Sequence, residues 1–348
     1  MNDGPAAQPV RIPARVRAWG WFMDRFGSMH IATMSPTDIE HNQTMRSIPA
    51  PVRRMLFGGR DARVDARDLA IPTADGPLGV RVYTPRSAGA VSGAGAGAGA
   101  GAAAGSGLPI AVYFHGGGWT LFGALDVCDW LPSRVAAELG AVVVAVDYRL
   151  APKHPYPAAV DDCLAAVRWA SEHAGELGAS PSRLAVFGDS AGGNLSAVVA
   201  LLARDAGGPA IRAQGLIYPV TDTMLDDASM RENARKPVLH RADMDAFFRY
   251  YLGASREHGA DDDPSVAPIH AASLSGLPAA LVQVSAHDVL RDQALAYAAR
   301  LSAEGTPVEV KTYAEAPHGW VTYPGIMRVS RRASADLVDF LRRALAAD

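Results

Sequence analysis

Short apolar runs alternate with helical stretches along the chain from residue 109 onwards. Uninterrupted apolar runs of this length are typical of strands that are buried on both faces of a parallel sheet. Helical segments separate them, such as DDCLAAVRWASEHA at 161–174. This alternation predicts an α/β fold with a mostly parallel central sheet and helices on both faces. The apolar runs are PIAVYF (109–114), AVVVAV (141–146), RLAVF (183–187), GLIYPV (215–220) and AALVQV (279–284).

The C-terminal part of the chain predicts one more strand, at the edge of the sheet. In PVEVKTY (307–313) apolar and polar residues alternate, as they do in a strand with one exposed face. A helix is expected before it, at 292–304, and the chain ends in a helical stretch near RRASADLVDFLRRAL. The sheet therefore has a predicted edge at residues 307–313.

A Gly/Ala tract occupies residues 87–107. Such a composition cannot bury enough apolar surface to offset the entropy of ordering, so we expect a flexible loop. The tract follows GVRVYTP (79–85), which alternates like a half-exposed strand, and precedes the apolar run at 109–114. We therefore expect it to join two strands of one sheet and not to separate two domains.

Two segments lie outside the strand–helix alternation. Residues 1–55 are mixed helical and loop-like and contain several aromatic side chains, and residues 221–268 hold the helical stretch RADMDAFFRYYLG between polar loops. We expect both segments to form a cap over one end of the sheet, although each could merely cover a sheet edge. The α/β core would then consist of residues 56–220 and 269–348.

Charge and cysteine content exclude several classes of function. A net charge of −3 across 348 residues gives no bulk attraction to nucleic acid or to an anionic membrane. The chain has only two cysteines, Cys128 and Cys163, which favours a reducing compartment over a disulfide framework. The N-terminal residues lack the apolar stretch of a secretory signal, and no run is long enough to span a membrane. These features predict a cytoplasmic protein without stable membrane association.

The sequence Gly188-Asp189-Ser190-Ala191-Gly192 follows the predicted strand 183–187 and precedes a helical stretch. A G-x-S-x-G motif between a strand and a helix is typical of a nucleophile elbow, in which glycines let the turn approach neighbouring backbone and expose the serine. The helix N-terminus also favours developing negative charge. Ser190 is therefore the candidate nucleophile, with a helix N-cap serine as the alternative.

A second motif, His115-Gly116-Gly117-Gly118-Trp119, begins where the apolar run 109–114 ends. Consecutive glycines at a strand end present bare backbone N–H groups, which can bind the oxyanion of a tetrahedral intermediate. The candidate oxyanion donors are the three glycines, and His115 is expected to hold the loop in place.

The general base and its acid are expected later in the chain, on loops that follow strands. His318 follows the strand 307–313 and is the best candidate base, ahead of His287. Asp288 lies between the serine and His318 in chain order and is the candidate acid, with Asp292 as the second choice. The histidines show no HExxH-type spacing, so no metal or other cofactor is expected.

Five motifs in this order resemble the hormone-sensitive lipase-like carboxylesterases, in the branch that carries GDSAG. They are HGGGW (115–119), DYRLAPKHPYPAAVDD (147–162), GDSAGG (188–193), HDVLRD (287–292) and PHGW (317–320). The resemblance implies an α/β-hydrolase fold with a helical cap. It also implies that Ser190 is the nucleophile, Asp288 the acid and His318 the base. The oxyanion donors would be the glycines 116–118, foremost Gly117 and Gly118, together with the Ala191 amide.

The sequence departs from the family pattern at two positions. Lys153 stands where the family usually has Glu, and Val289 stands where it usually has Pro. Neither residue has a proposed catalytic role. The resemblance favours esters with short to medium acyl chains as small-molecule substrates, and a possible homodimer formed through the predicted edge strand.

Three alternative functions are compatible with parts of the pattern. The same triad could hydrolyse amides, as in a deacetylase or aryl amidase. A non-catalytic ligand-binding protein could use the same fold, but it would not need all three triad residues. A metal hydrolase is disfavoured by the spacing of the histidines.

Overall fold

A computed structural model describes residues 11–26, 30–43, 48–86, 107–123, 125 and 127–346. Eight strands form one sheet in the order β1-β2-β4-β3-β5-β6-β7-β8. Strands β3 to β8 run parallel to one another, whereas β2 is antiparallel to both β1 and β4. This confirms the predicted mostly parallel sheet with an edge at residues 307–313. The strands are β1 (Val64–Thr73), β2 (Gly76–Pro85), β3 (Leu108–Phe114), β4 (Val142–Asp147), β5 (Ala179–Asp189), β6 (Ala213–Ile217), β7 (Ala279–His287) and β8 (Val308–Pro317).

Strand β2 is more deeply buried than its alternating sequence indicates. Its residues Val80, Arg81, Val82 and Tyr83 are all buried, because helices cover the faces of the sheet while β1 and β4 pair with the two edges of the strand. The Arg81 guanidinium remains satisfied through ion pairs with Asp68 and Asp129. The prediction of a half-exposed strand is therefore wrong, because paired charges let an alternating sequence occupy a buried position.

Helices cover both faces of the sheet. Connections between parallel strands are right-handed, so α4 lies on one face, and α5, α6 and α9 lie on the other. Helix α10 packs against α4 on the first face, while α5 and α6 pack against each other. The helices are α1 (Ala14–Phe26), α2 (Pro36–Asn42), α3 (Ala50–Phe57), α4 (Trp130–Leu139), α5 (Ala158–Glu172), α6 (Ala191–Asp205), α7 (Ala228–Glu232), α8 (Arg241–Leu252), α9 (Arg291–Ala303) and α10 (Val329–Ala344).

Helices α1, α2, α3, α7 and α8 belong to the two segments that interrupt the strand–helix alternation. The boundary expected after residue 55 falls inside α3, which continues to Phe57 and buries that side chain. Most of the Gly/Ala tract lies outside the described residues, but the strands that it connects, β2 and β3, belong to one sheet as predicted. None of the described helices combines the length and apolar character needed to cross a bilayer.

Candidate active site

Ser190 occupies the sharp turn between β5 and α6. Its backbone has φ 56° and ψ −117°, a conformation that L-residues adopt only under constraint. A Cβ on Gly192 would overlap the backbone of Phe114 and His115, so only glycine lets α6 start this close to β3. The Ser190 side chain makes no helix-capping hydrogen bond. It therefore points away from the helix and leaves its hydroxyl available for other contacts.

The three triad candidates form one continuous chain of hydrogen bonds. His318 Nε2 lies 2.9 Å from Ser190 Oγ, and His318 Nδ1 lies 2.7 Å from Asp288 Oδ2. Asp288 is 1% exposed and His318 is 6% exposed. A buried carboxylate that accepts from Nδ1 holds the imidazole in the tautomer whose Nε2 can accept the serine proton.

Strand register brings Asp288 and His318 together. In the parallel pair β7–β8, His287 lies opposite Pro317, so the next residue on each strand leaves the sheet at the same place. The Asp288 carboxylate is also fixed by the Leu290 amide, which donates to Oδ1 at 2.9 Å. Asn233, from the segment after α7, donates to the Asp288 carbonyl at 3.0 Å.

Asp292, the second-choice acid, has a different environment. Its carboxylate accepts from the Ser229 amide at 2.7 Å and pairs with Arg291 in the first turn of α9. These contacts attach α7 to the core and give Asp292 no hydrogen bond to His318. Of the two candidate acids, Asp288 is the one within hydrogen-bond distance of His318.

The glycine loop, residues 115–119, has fewer free amides than its three glycines predict. Gly116 N already donates to Asp189 Oδ1 at 3.1 Å, and its carbonyl lies 2.7 Å from His115 Nδ1. The expectation that Gly116 contributes to the oxyanion hole is therefore wrong, because its N–H holds the loop against the elbow. Gly117 and Gly118 have φ of 109° and 59°. No described residue accepts a hydrogen bond from the amides of Gly117, Gly118 or Ala191.

Asp189 is a site residue that the sequence reasoning treated only as a variable motif position. Its side chain is 2% exposed. Tyr113 donates to Oδ1 at 2.8 Å, and Thr322 and Tyr218 lie 3.3 and 3.4 Å from Oδ2. Burial raises the pKa of Asp189. The Asp189 carboxylate thus connects β3, the glycine loop, the end of β6 and the loop that carries His318. The only hint of this role in the sequence is the position of an acidic residue directly before the elbow serine.

Tyr218 follows β6 directly and supports the imidazole. Its ring lies 4.5 Å from the His318 ring and 4.3 Å from the Trp320 ring, and its hydroxyl accepts from Val321 N at 3.3 Å. The sequence reasoning assigned Tyr218 to a strand, but the backbone leaves the sheet there with φ 36°.

A cavity of about 70 Å³ opens onto the Ser190 side chain. Both cap segments contribute aromatic walls, namely Trp19 and Phe247, and the core contributes Phe122, Tyr218 and Tyr323. In the sequence, Trp19, Trp21, Phe22, Phe247 and Phe248 suggest an apolar pocket, with core packing as the alternative, and only Trp19 and Phe247 line this cavity. The other three are Trp21, which is 64% exposed, Phe22, which is 52% exposed, and Phe248, which is fully buried.

The cap also places a polar cluster on the wall of this cavity. His30 Nδ1 lies 2.9 Å from Asp243 Oδ2, and His30 Nε2 lies 3.1 Å from Asp24 Oδ1. The hydrogen bond to Asp243 is the main cause that raises the pKa of His30. The His240 ring stacks on His30 at 4.2 Å. Within the described ranges this is the one group of three or more side chains, Asp24, His30 and His240, whose spacing suits a metal ion.

Comparison with known proteins agrees with this architecture. The family described as alpha/beta hydrolase fold matches residues 111–322. The carboxylesterase NlhH of Mycobacterium tuberculosis is 46% identical over 238 residues, which are 68% of this chain and 74% of that protein. The esterase LipI of the same organism is 41% identical over 267 residues, which are 77% of this chain and 78% of that protein.

A solved structure extends the likeness to nearly the whole chain. The hyperthermophilic esterase from Pyrobaculum calidifontis superposes with a TM-score of 0.81 and 31% identity, and covers 97% of this chain and 100% of its own. The chain therefore belongs to the α/β hydrolase fold family, among its hormone-sensitive lipase-like carboxylesterases, and it is a carboxylic ester hydrolase.

Proposed function

We propose that the protein cleaves its ester substrates through an acyl-enzyme formed on Ser190. The observation that carries this proposal is the uninterrupted hydrogen-bond chain from Asp288 through His318 to the Ser190 hydroxyl. Asp288 holds the imidazole by Nδ1, so Nε2 is the nitrogen that faces the serine proton. Removing that proton makes Ser190 Oγ nucleophilic at the moment it meets the carbonyl carbon.

The amides of Gly117, Gly118 and Ala191 are the proposed oxyanion donors. Gly117 and Gly118 lie on the glycine loop, where Gly117 lines the same cavity as Ser190, and Ala191 is the first residue of α6. The positive end of α6 adds favourable electrostatics for the negative oxygen. Donors fixed in advance stabilise the transition state without reorganisation during the reaction.

The proposed reaction has two steps, acylation of Ser190 and hydrolysis of the acyl-enzyme. Ser190 Oγ bonds to the ester carbonyl carbon while its proton moves to His318 Nε2, and the carbonyl oxygen becomes the oxyanion. Collapse breaks the bond to the alcohol oxygen, which takes the proton from His318. Water then loses a proton to His318, attacks the acyl carbon and releases the carboxylic acid, and the proton returns to Ser190.

The first test of this assignment is Ser190→Ala, compared with wild type on a nitrophenyl acetate. We expect the variant to lose at least ~10³-fold in kcat, because the nucleophile is gone while the oxyanion donors remain. Retention of most of the activity would refute the assignment of Ser190. A matched nitroanilide substrate measured in parallel separates the ester hydrolase from an amidase, and we expect the ester to be strongly preferred.

We propose that the preferred acyl chains are short to medium. The cavity beside Ser190 is about 70 Å³ and is closed by aromatic side chains from the cap and the core. Aromatic walls from both the cap and the core limit the length of the acyl chain, and each methylene group that fits contributes about 1–3 kcal/mol. Initial rates across nitrophenyl acetate, butyrate, octanoate, dodecanoate and palmitate test this, with a maximum expected before dodecanoate. A maximum at palmitate would contradict the proposal.

We propose a cytoplasmic protein that pairs with a second copy along β8. Both cysteines are free thiols, and β8 ends the sheet with Val310 44% exposed. An open edge strand can continue its ladder with the same strand of another copy. Sedimentation of wild type and of a Val310→Lys variant tests this, with a dimer expected for the first and a monomer for the second. A wild-type monomer at high concentration would exclude the dimer.

A further inference from the structure

We propose that Asp24, His30 and His240 form a binding site for Zn²⁺ or a similar divalent transition metal, and that the bound ion links the two cap segments beside the cavity. Asp24 and His30 belong to the N-terminal segment, whereas His240 precedes α8, more than two hundred residues later. Neutral imidazole nitrogens and a carboxylate oxygen are the donor set that Zn²⁺ prefers, and three such ligands leave a fourth position open. The site is separate from Ser190, His318 and Asp288, and the proposal does not depend on their roles.

The distances suit one ion. Two ligand atoms about 2.0–2.2 Å from a tetrahedral zinc ion lie roughly 3.3–3.5 Å from each other. His30 Nε2 is 3.1 Å from Asp24 Oδ1, and His240 Nε2 is 3.8 Å from the same oxygen. All three donor atoms lie within 4.8 Å of one another. The ion would replace the hydrogen bond between His30 and Asp24.

The Asp243 carboxylate orients His30 in the way that carboxylates orient histidine ligands in known metal sites. Metal-binding histidines donate their other ring N–H to a carboxylate, which fixes the tautomer and the ring plane. His30 Nδ1 lies 2.9 Å from Asp243 Oδ2, and the Asp243 side chain is only 4% exposed. The amides of Ala32 and His240 donate to the same carboxylate at 3.3 and 3.1 Å. His30 Nε2 is therefore held toward Asp24 by buried contacts.

His240 supplies the second, independent observation. Its Nε2 is shielded from solvent and has no hydrogen-bond partner within the described part of the chain. A buried ring nitrogen without a partner is costly, and an ion would satisfy it. Binding has a conformational requirement, since the His240 ring now stacks on His30 with an interplanar angle of 19°. The His240 ring must tilt out of this stack for both Nε2 atoms to face one ion.

The test uses the full chain without a polyhistidine tag, treated with EDTA, desalted and titrated with ZnCl₂ in a calorimeter. We expect one ion per chain and a melting temperature that rises until one equivalent is bound, because the ion binds only the folded state. Co²⁺ in place of Zn²⁺ should give the intense visible absorption of a tetrahedral site. Absence of binding to wild type would overturn the proposal.

Variants locate the ion. His240→Gln and His30→Gln should each weaken zinc binding and abolish the rise in melting temperature, and Asp243→Asn should weaken binding by about 10–100-fold. His258→Gln, an exposed cap histidine outside the cluster, is the matched control and should bind as wild type does. His240→Gln leaves the His30–Asp243 hydrogen bond intact, so it remains informative if His30→Gln fails to fold. Loss of binding in His318→Gln, with wild-type binding in His240→Gln, would place the ion at the triad and refute the proposal.

Discussion

The floor of the cavity, formed by the strand ends that carry the triad candidates, and the cap above it are held in place by different kinds of contact. On the floor, Ser190, Asp288 and His318 follow the ends of β5, β7 and β8 of one sheet, and the buried Asp189 ties the elbow to the glycine loop. In the cap, Trp19, His30 and Phe247 come from two segments that do not belong to the sheet. Backbone hydrogen bonds between strands hold the floor in place, whereas contacts between side chains hold the cap in place.

This difference assigns different tasks to the two regions. A side chain at the end of a strand is held in position by the hydrogen bonds of the whole sheet. Proton transfer needs this, because the donor and acceptor atoms must stay within hydrogen-bond distance in the right orientation. Side chains on helices outside the sheet can be exchanged at lower structural cost, which would suit a wall that selects among acyl groups. Changes on the floor should therefore alter the rate of reaction, and changes in the cap should alter which substrate reacts.

The largest effect is expected from Asp288→Asn. The amide cannot hold the His318 tautomer or stabilise the imidazolium, so kcat should fall by about 10⁴-fold. Asp292→Asn is the matched control, because Asp292 lies four residues away and contacts Ser229 and Arg291. Steady-state kinetics on a short nitrophenyl ester measure both, and an equal loss in the two variants would contradict the roles given to them.

Gly118→Ala should come next, with a loss of about 10²–10³-fold in kcat if its amide is an oxyanion donor. The added Cβ would overlap the Phe247 ring, so the loop must move to accept it. Gly140→Ala controls for backbone strain, since Gly140 has φ 71° but nothing within 4 Å of a Cβ. The control should lose stability without losing kcat, and a similar loss of kcat in both variants would count against the donor role.

Two neighbouring phenylalanines of α8 test the cap. Phe247 lines the cavity, whereas Phe248 is fully buried and packs against Trp119. Phe247→Ala should raise kcat/KM for octanoate relative to acetate by about tenfold, since the pocket gains room for methylene groups. Phe248→Ala should instead cost about 3–5 kcal/mol of stability and leave the chain-length profile unchanged. Identical profiles for both variants would show that Phe247 does not limit acyl length.

The smallest effect concerns the pH dependence of stability on the floor. Burial raises the pKa of Asp189 above its ordinary value of 3.8, so the folded state retains a proton that the unfolded state has lost. Wild-type stability should therefore fall as the pH rises from 3.8 to the raised pKa, by up to about 1.4 kcal/mol per pH unit. Asp189→Asn should lack this contribution. Urea unfolding at several acidic pH values measures it, and parallel curves for both proteins would argue against it.

The sequence predicted the floor better than the cap, for a physical reason. A parallel sheet requires apolar strands, and an elbow requires glycines around a serine, so both leave local patterns that residues 183–192 display. The contribution of Gly116 was misjudged because the acceptor of its N–H, Asp189, lies seventy-three residues away. Similarly, Trp21 and Phe248 resemble pocket residues in the sequence, and only the orientation of their helices shows that they are not.

By itself the sequence determined the alternation of strands and helices, the order of serine, acid and histidine, and the family. These properties are local, since hydrophobic period and glycine placement act within a few residues. Only the tertiary structure decided which amides remain free, how Asp189 joins four elements, and that Asp24, His30 and His240 meet. Those contacts depend on register and helix orientation, which result from packing of the whole chain rather than from any single segment.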